Sequence, residues 1–177
     1  SDEGRHQDML YVLPAVTVSF EKQSANAVIT SGNDTYQLNG ATFDIFESAS
    51  GACVGTIQMD EGGRAQATLS PNTAYYLLET KAPAGYVPRH DRIEFTTSSD
   101  GGHVSIDETP GTISLRIVKL DKATGAGPQA GASLSGAEFT CVSQSTPGLT
   151  RTLTTDGAGL ATLSDIPLGT FTIYESK

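Results

Sequence analysis

Residues 74–88 read AYYLLETKAPAGYVP, an apolar run that contains a glutamate and is followed at once by a proline and glycine turn signal. Side chains alternate between the two faces of a β-strand, so Tyr75, Leu77 and Glu79 share one face. If that face covers a core, a carboxylate is buried together with the tyrosine and the leucine. A bare buried charge is costly, so the stretch predicts that Glu79 is paired, neutralised or reactive.

The rest of the chain repeats this pattern. Four landmarks recur in the same order 94 to 97 residues later: VTVSFEK matches ISLRIVK, GATF matches GAEF, RAQATLS matches GLATLS, and AYYLLETK matches TFTIYESK. Self-similarity at a fixed offset is the signature of repeated units. We therefore predict two homologous modules, residues 14–110 and residues 111–177, preceded by a linker or disordered lead at residues 1–13.

Each module is predicted to be all-β. Short alternating segments rich in Val, Ile, Thr, Phe and Tyr are separated by turn clusters such as SGND, DEGG, SSDGG and TDGAG. This layout is typical of a sandwich or small barrel, and helical periodicity is nearly absent. Pro110 and Gly111 mark a short linker, which favours a stiff tandem rod.

Composition excludes several classes of partner. The 177 residues carry 11 basic and 20 acidic side chains, a net charge of −9, which disfavours nucleic acid and anionic lipid. No apolar stretch reaches the roughly 20 residues that a membrane span needs, and residues 1–13 do not have the layout of a signal peptide. Two cysteines are too few for a disulfide framework or a multi-cysteine zinc site, and the scattered histidines, His6, His90 and His103, do not suggest a metal centre.

Two lysines fall on the same parity as core residues. Lys22 alternates with Val18 and Phe20, as Lys119 does with Leu115 and Ile117 in the second module. We expect each lysine to be buried opposite a glutamate, Glu79 in the first module and Glu175 in the second. Three interpretations follow: a structural ion pair, a conventional active site, or a self-modifying site in which the lysine amine attacks a neighbouring Asn or Asp side chain.

The motif YYLLETKAPAGY resembles the E-box of the Cna B-type, or SpaA-type, prealbumin-like domains of Gram-positive pilins and cell-wall-anchored adhesins. The segments RIVKLDKATG, GASLSGAEF, TDGAG and DIPLGTFTIYES follow the order of that family. The resemblance implies two tandem Ig-like or prealbumin-like β-sandwich modules. It also implies an autocatalytic isopeptide bond in each module, with Lys22 and Lys119 as the nucleophiles and Glu79 and Glu175 as the acids that promote the reaction.

The acceptor of the first bond is the point at which the sequence departs from the family. Residues 103–111 read HVSIDETPG and contain no asparagine. Asp107 has the chemistry of the family's aspartate acceptors, whereas strict alternation from Val104 and Ile106 turns Glu108 inward. We take Asp107, brought inward by a β-bulge, as the expected acceptor and Glu108 as the alternative. The remaining alternative is an uncrosslinked Lys22 paired with Glu79.

The second module is expected to lack its closing strand. The chain ends at Lys177, two residues past Glu175, so the acceptor for Lys119 is expected to lie outside this sequence. We also expect Cys141, which shares the parity of Phe139, to be a buried small apolar residue, and its pairing with Cys53 is not expected.

The function that the resemblance implies is mechanical. The chain would be a stalk or backbone module of a bacterial surface adhesin or pilin, without turnover of a substrate and without a cofactor or metal. Its partners would be other domains of the same surface protein or neighbouring pilin subunits, and its location would be extracellular, at the cell wall. The alternatives are a module that binds a host protein or glycan, and an accessory domain of a secreted hydrolase.

Overall fold

The computed structural model describes residues 14–177, so the predicted linker at residues 1–13 lies outside the described residues. About 49% of these described residues are strand and 2% are helix, which confirms the all-β prediction. The elements are β1 (Val16–Ser24), α1 (Ala27–Thr30), β2 (Thr42–Glu47), β3 (Cys53–Gln58), β4 (Arg64–Leu69), β5 (Ala74–Lys81), β6 (Ile93–Thr96), β7 (Gly102–Glu108), β8 (Thr112–Val118), β9 (Glu138–Ser143), β10 (Thr150–Thr154), β11 (Leu160–Pro167) and β12 (Phe171–Glu175).

The first module is a sandwich of two sheets. One sheet has the strand order β4-β1-β7 and the other β3-β2-β5-β6. All neighbouring strands are antiparallel except β1 and β7, which run parallel from the pair Val18 and Gly102 to the pair Ser24 and Glu108. The alternating apolar residues of both sheets meet in one core that excludes water. Its members are Val18, Phe20, Ala41, Phe43, Ile45, Ile57, Met59, Leu69, Tyr75, Leu77 and Ile106.

The second module has the same plan with fewer strands. Its sheets are β11-β8 and β10-β9-β12. The core is correspondingly small: Cys141, Leu153 and Ala161 are buried, and Leu115, Ile117, Phe139, Leu163 and Phe171 pack against them while partly exposed. Within residues 14–177 no strand pairs with the second edge of β8, the edge that corresponds to the β7 side of β1. Among the described residues, β8 is therefore an edge strand with one neighbour.

A buried hydrogen-bond network joins the two modules. The Asn33 side-chain amide, in the loop after α1, donates to Thr146 Oγ1 and to the Leu168 carbonyl, both at 2.9 Å. The Tyr36 hydroxyl donates to the Gly111 carbonyl at 2.6 Å and accepts from the Leu168 N–H at 2.7 Å. Asn33, Tyr36 and Thr146 are all buried. We call this network the joint.

Candidate functional site

Lys22 is held by its backbone as well as by its strand. Its N–H donates to the Gly63 carbonyl at 2.8 Å. Gly63 has φ of 72°, and a Cβ at this position would lie 2.9 Å from Leu38 Cβ and 3.2 Å from the Lys22 carbonyl oxygen. The turn that presents Gly63 is tied by the Asp60 carboxylate, which accepts from the N–H groups of Gly62 and Arg64. The DEGG turn thus fixes the backbone from which the lysine side chain enters the core.

The Lys22 amine lies between two carboxylates in the core of the first module. Nζ lies 3.1 Å from Glu79 Oε1 and 2.9 Å from Glu108 Oε1. It also lies 4.6 Å from the centroid of the Phe43 ring, which the GATF landmark supplies. The side chains of Lys22, Glu79 and Glu108 are 0%, 1% and 1% exposed, so water does not screen these charges. The predicted partner of Glu79 is therefore present, together with a second carboxylate.

Each carboxylate oxygen of Glu79 accepts a hydrogen bond, and together the two bonds fix the orientation of the side chain. Glu79 lies on β5 opposite Phe43 of β2, which places its side chain beneath the β1 strand. Oε1 accepts from the Lys22 amine, and Oε2 accepts from the backbone N–H of Arg89 at 2.7 Å. Arg89 lies in the segment that follows the APAG turn and folds back over the end of β5. The motif therefore supplies the acid, and a residue just beyond the end of the motif supplies the backbone amide that orients it.

The two acceptor candidates lie on opposite faces of β7. Glu108 is buried, whereas Asp107 is exposed and accepts a 2.6 Å hydrogen bond from the Gln23 side chain. The structure does not bring Asp107 to Lys22, because β7 pairs with β1 in an unbroken parallel register through Glu108. The bulge that would have turned Asp107 inward is not formed. Simple alternation determines which residue faces the lysine, and it favours the alternative, Glu108.

Burial governs the chemistry of Glu108. Removal from water raises the pKa of this carboxyl, and the nearby Lys22 amine, which acts to lower that pKa, does not offset the effect of burial. Although Lys22 Nζ is only 2.9 Å away, the angle is not that of a hydrogen bond, and neither Glu108 oxygen has a hydrogen-bond partner among residues 14–177. The Lys22 amine is thus in close contact with a carboxyl group whose burial disfavours the charged form.

The second module repeats these residue types but not their burial. Lys119 donates to Glu175 Oε1 and lies 6.0 Å from the Phe139 ring centroid. The expectation that both charges are buried is wrong here, because the side chains of Lys119 and Glu175 are 26% and 46% exposed. Lys22 is covered by strands on both sides of β1, whereas β8 has a neighbour only in β11. Water therefore reaches the second pair.

The other candidate residues do not form a site. Within the described part of the chain, no three His, Cys, Asp or Glu side chains are placed to hold a metal ion. His90 and His103 are exposed, and His6 lies outside the described residues. Cys141 is buried, as predicted, and burial raises the pKa of its thiol, while Cys53 is exposed and both thiols are free. No described helix is long and apolar enough to cross a membrane.

The fold and the Lys-Glu geometry define a class of tandem prealbumin-like β-sandwich domains. The sequence model of the SpaA prealbumin-like fold domain family matches residues 25–110 and 114–177, and the chain belongs to this family. This confirms the resemblance seen in the E-box motif. A comparison with curated protein sequences gave no match.

Similar solved structures support the same fold. The Bacillus anthracis TIE protein is 21% identical and superposes with a TM-score of 0.61, over 92% of this chain and 28% of that chain. A streptococcal ancillary pilin is 16% identical over 92% of this chain and 54% of that chain, with a TM-score of 0.44. BcpA, the major pilin subunit of Bacillus cereus, is 15% identical over 92% and 88%, also with a TM-score of 0.44. The superposition on the TIE protein, with its TM-score of 0.61, supports the shared fold.

Proposed function

We propose that the chain is a structural stalk module of a bacterial surface adhesin or pilin, and that its first module is closed by an isopeptide bond between Lys22 and Glu108. Membership of the SpaA family supports the stalk role. The observation that carries the crosslink is the buried contact of 2.9 Å between Lys22 Nζ and Glu108 Oε1. The proposed location is the cell surface, and the proposed partners are other domains of the same protein or neighbouring pilin subunits.

The reaction is a condensation without a cofactor. The neutral Lys22 amine attacks the Cδ atom of protonated Glu108, the new C–N bond forms, and the C–O bond to the departing hydroxyl breaks. Glu79 donates a proton to the departing oxygen and receives one from the amine, so it ends unchanged and one water is released. An open depression of about 310 Å³, lined in part by Arg89 and Glu108, gives that water a route to solvent.

The bond would change how the module responds to force. It joins β1 to β7, which are the first and last strands of the module. Closing a loop of this size stabilises the fold by about 4 to 5 kcal/mol on the scale known for disulfides. Tension applied through the two ends would then load a covalent bond between neighbouring strands, and the residues between Lys22 and Glu108 would not extend.

Intact mass tests the crosslink. The wild-type protein should weigh one water less than its sequence, and Glu79→Ala should restore the full mass because the proton shuttle is lost. Glu175→Ala, the equivalent change in the second module, is the matched control and should leave the mass deficit unchanged. A wild-type mass equal to the sequence mass would remove the bond from the proposal.

Single-molecule pulling tests the mechanical role. The wild-type first module should give no unfolding length from residues 23–107, whereas the Glu79→Ala protein should release that segment as an extension of about 3.3 to 3.6 Å per residue. If the wild-type segment extends at the same force as in the variant, no crosslink carries the tension.

A further inference from the structure

Arg89 contacts both strands that carry the carboxylates around Lys22. Its backbone N–H donates to Glu79 Oε2 at 2.7 Å, and its guanidinium donates to the Asp107 carbonyl at 2.6 Å. We infer that Arg89 is a positioning residue for the crosslink between Lys22 and Glu108, orienting the acid through its backbone and the acceptor strand through its side chain. This inference rests on the proposed function.

The backbone contact fixes the orientation of the Glu79 carboxyl group. Oε2 accepts the Arg89 N–H, which leaves Oε1 directed at the Lys22 amine, 3.1 Å from Nζ. Without the Arg89 N–H the carboxyl group could rotate about its last side-chain bond, and Oε1 would face away from the reacting atoms for part of the time.

The side-chain contact fixes the peptide immediately before the acceptor. The Asp107 carbonyl belongs to the peptide group that leads into Glu108, so the guanidinium holds the plane from which the Glu108 side chain projects. A second guanidinium nitrogen donates to the Asp91 carboxylate at 2.9 Å, and the Arg89 side chain is 25% exposed. The charged hydrogen bond to Asp91 restrains the guanidinium at its outer end, while the bond to Asp107 restrains the inner end.

The two hydrogen bonds of Arg89, rather than its positive charge, support its positioning role. The positive charge of Arg89 lowers the pKa of Glu108, but this is the smallest of the effects on that group, and burial acts in the opposite direction and is larger. Among residues 14–177, Glu175 receives a hydrogen bond from Lys119 but none from a backbone N–H, so the second module has no counterpart of the Arg89 contact. Among these residues, a backbone hydrogen bond to the acid is found in the first module, from Arg89, and not in the second.

The test follows the rate of water loss after synthesis. Protein made by cell-free translation is sampled over time, quenched in denaturant and weighed intact. Arg89→Ala should slow the reaction about tenfold or more, since small displacements of reacting groups have effects of this order. Arg89→Lys should recover part of the rate because its ammonium can donate to the Asp107 carbonyl. Arg89→Pro, which also removes the N–H donor, should be slower than Arg89→Ala.

Two controls separate positioning from stability. Asp91→Ala removes the outer restraint on the guanidinium but leaves both contacts of Arg89 with the site, so it should slow crosslinking less than Arg89→Ala does. Arg89→Ala is also combined with Glu79→Ala, which cannot react. The melting temperature of this double variant should match that of Glu79→Ala alone, so that the slower reaction is not a consequence of a less stable fold.

The outcomes distinguish this inference from the proposed function. If the wild-type protein loses water and both Arg89→Ala and Arg89→Pro react at its rate, Arg89 has no positioning role and the crosslink stands. If Arg89→Pro does not fold, Arg89→Ala and Arg89→Lys decide the result. If the wild-type protein loses no water, the proposed crosslink is wrong and the inference fails with it.

Discussion

Lys22 and Lys119 occupy equivalent positions in two homologous modules, yet their surroundings differ. Lys22 is fully enclosed with two carboxylates, whereas Lys119 and its single partner Glu175 are in contact with water. The two lysines have matching strands, matching aromatic neighbours and matching turns. The difference is one strand, because β7 covers the edge of β1 and supplies Glu108, while β8 has no strand in that place. Burial by a neighbouring strand, rather than the motif itself, distinguishes the first site from the second.

Removing each lysine should give the largest contrast between the modules. Lys22→Ala removes the proposed crosslink, which is worth about 4 to 5 kcal/mol, and leaves two carboxyl groups buried without the amine that contacts them. Lys119→Ala removes a solvated pair, which is worth less than about 1 kcal/mol. Hydrogen exchange measured separately for each module reads out both effects. Similar losses in the two modules would show that the enclosure of Lys22 has no energetic consequence.

Supplying a strand to the second module should reduce the difference in burial between Lys119 and Lys22. A peptide with the sequence of β7, GHVSIDE, should pair along the open edge of β8 and place apolar side chains over the groove beside Lys119. At a peptide concentration of 100 times Kd, binding stabilises the folded state by about 2.7 kcal/mol.

Binding of the peptide is detected as a rise in the melting temperature of the second module. A peptide in which the inward-facing Val and Ile are replaced by Ser is the control and should have no effect. If neither peptide changes the melting temperature or the mass, the edge of β8 is not an acceptor for a strand.

The pH dependence of the uncrosslinked first module should be smaller but specific. Burial raises the folded-state pKa of Glu108 above its ordinary value of 4.5, so the folded state holds this proton more tightly than the unfolded chain. The stabilising contribution is complete below the ordinary value and is lost as pH rises through the folded-state pKa, at about 1.4 kcal/mol per unit of difference.

The comparison that isolates this effect is between Glu79→Ala and the double variant Glu79→Ala, Glu108→Gln. Urea unfolding at a series of pH values should show the first protein losing stability relative to the second as pH rises. Glu175→Gln in the second module is the matched control for removing a carboxylate at a half-exposed position. A constant difference across the series would show that Glu108 does not titrate as a buried acid.

The smallest expected effect concerns the acceptor atom itself. Glu108→Gln keeps the shape of the side chain but carries an amide, so condensation with Lys22 should release ammonia in place of water. The final product is identical to that of the wild type, and intact mass should therefore agree for the two mature proteins. Asp107→Asn is the control, since its side chain faces solvent and it should retain the wild-type deficit of one water. A deficit of ammonia in Asp107→Asn would transfer the acceptor role to Asp107.

Alternation in the sequence predicts the faces of the strands well. It places Val18, Phe20 and Lys22 inward, and it also gives the correct face for Glu108 when β7 is read without a bulge. The preference for Asp107 came from the chemistry of the family, and the regular register of β7 with β1 does not accommodate it. Local pattern was the better guide to geometry at this position.

The sequence does not predict how far a face is covered. Alternation places Lys119 toward the core of the second module, but its exposure depends on a strand that is absent from residues 14–177. Arg89 and the joint residues Asn33 and Tyr36 could not be found from pattern either. Their contacts join segments distant in sequence, and the polar loops that carry them have no periodicity to analyse.

The joint should hold the two modules in a fixed relative orientation. Bending at the linker would expose Asn33 and Tyr36 and break hydrogen bonds that are buried, where an unpaired polar group is costly. Burial also raises the pKa of the Tyr36 hydroxyl, so the donor to the Gly111 carbonyl remains protonated well into the alkaline range. Thermal fluctuations should therefore alter the distance between the two ends of the described chain very little.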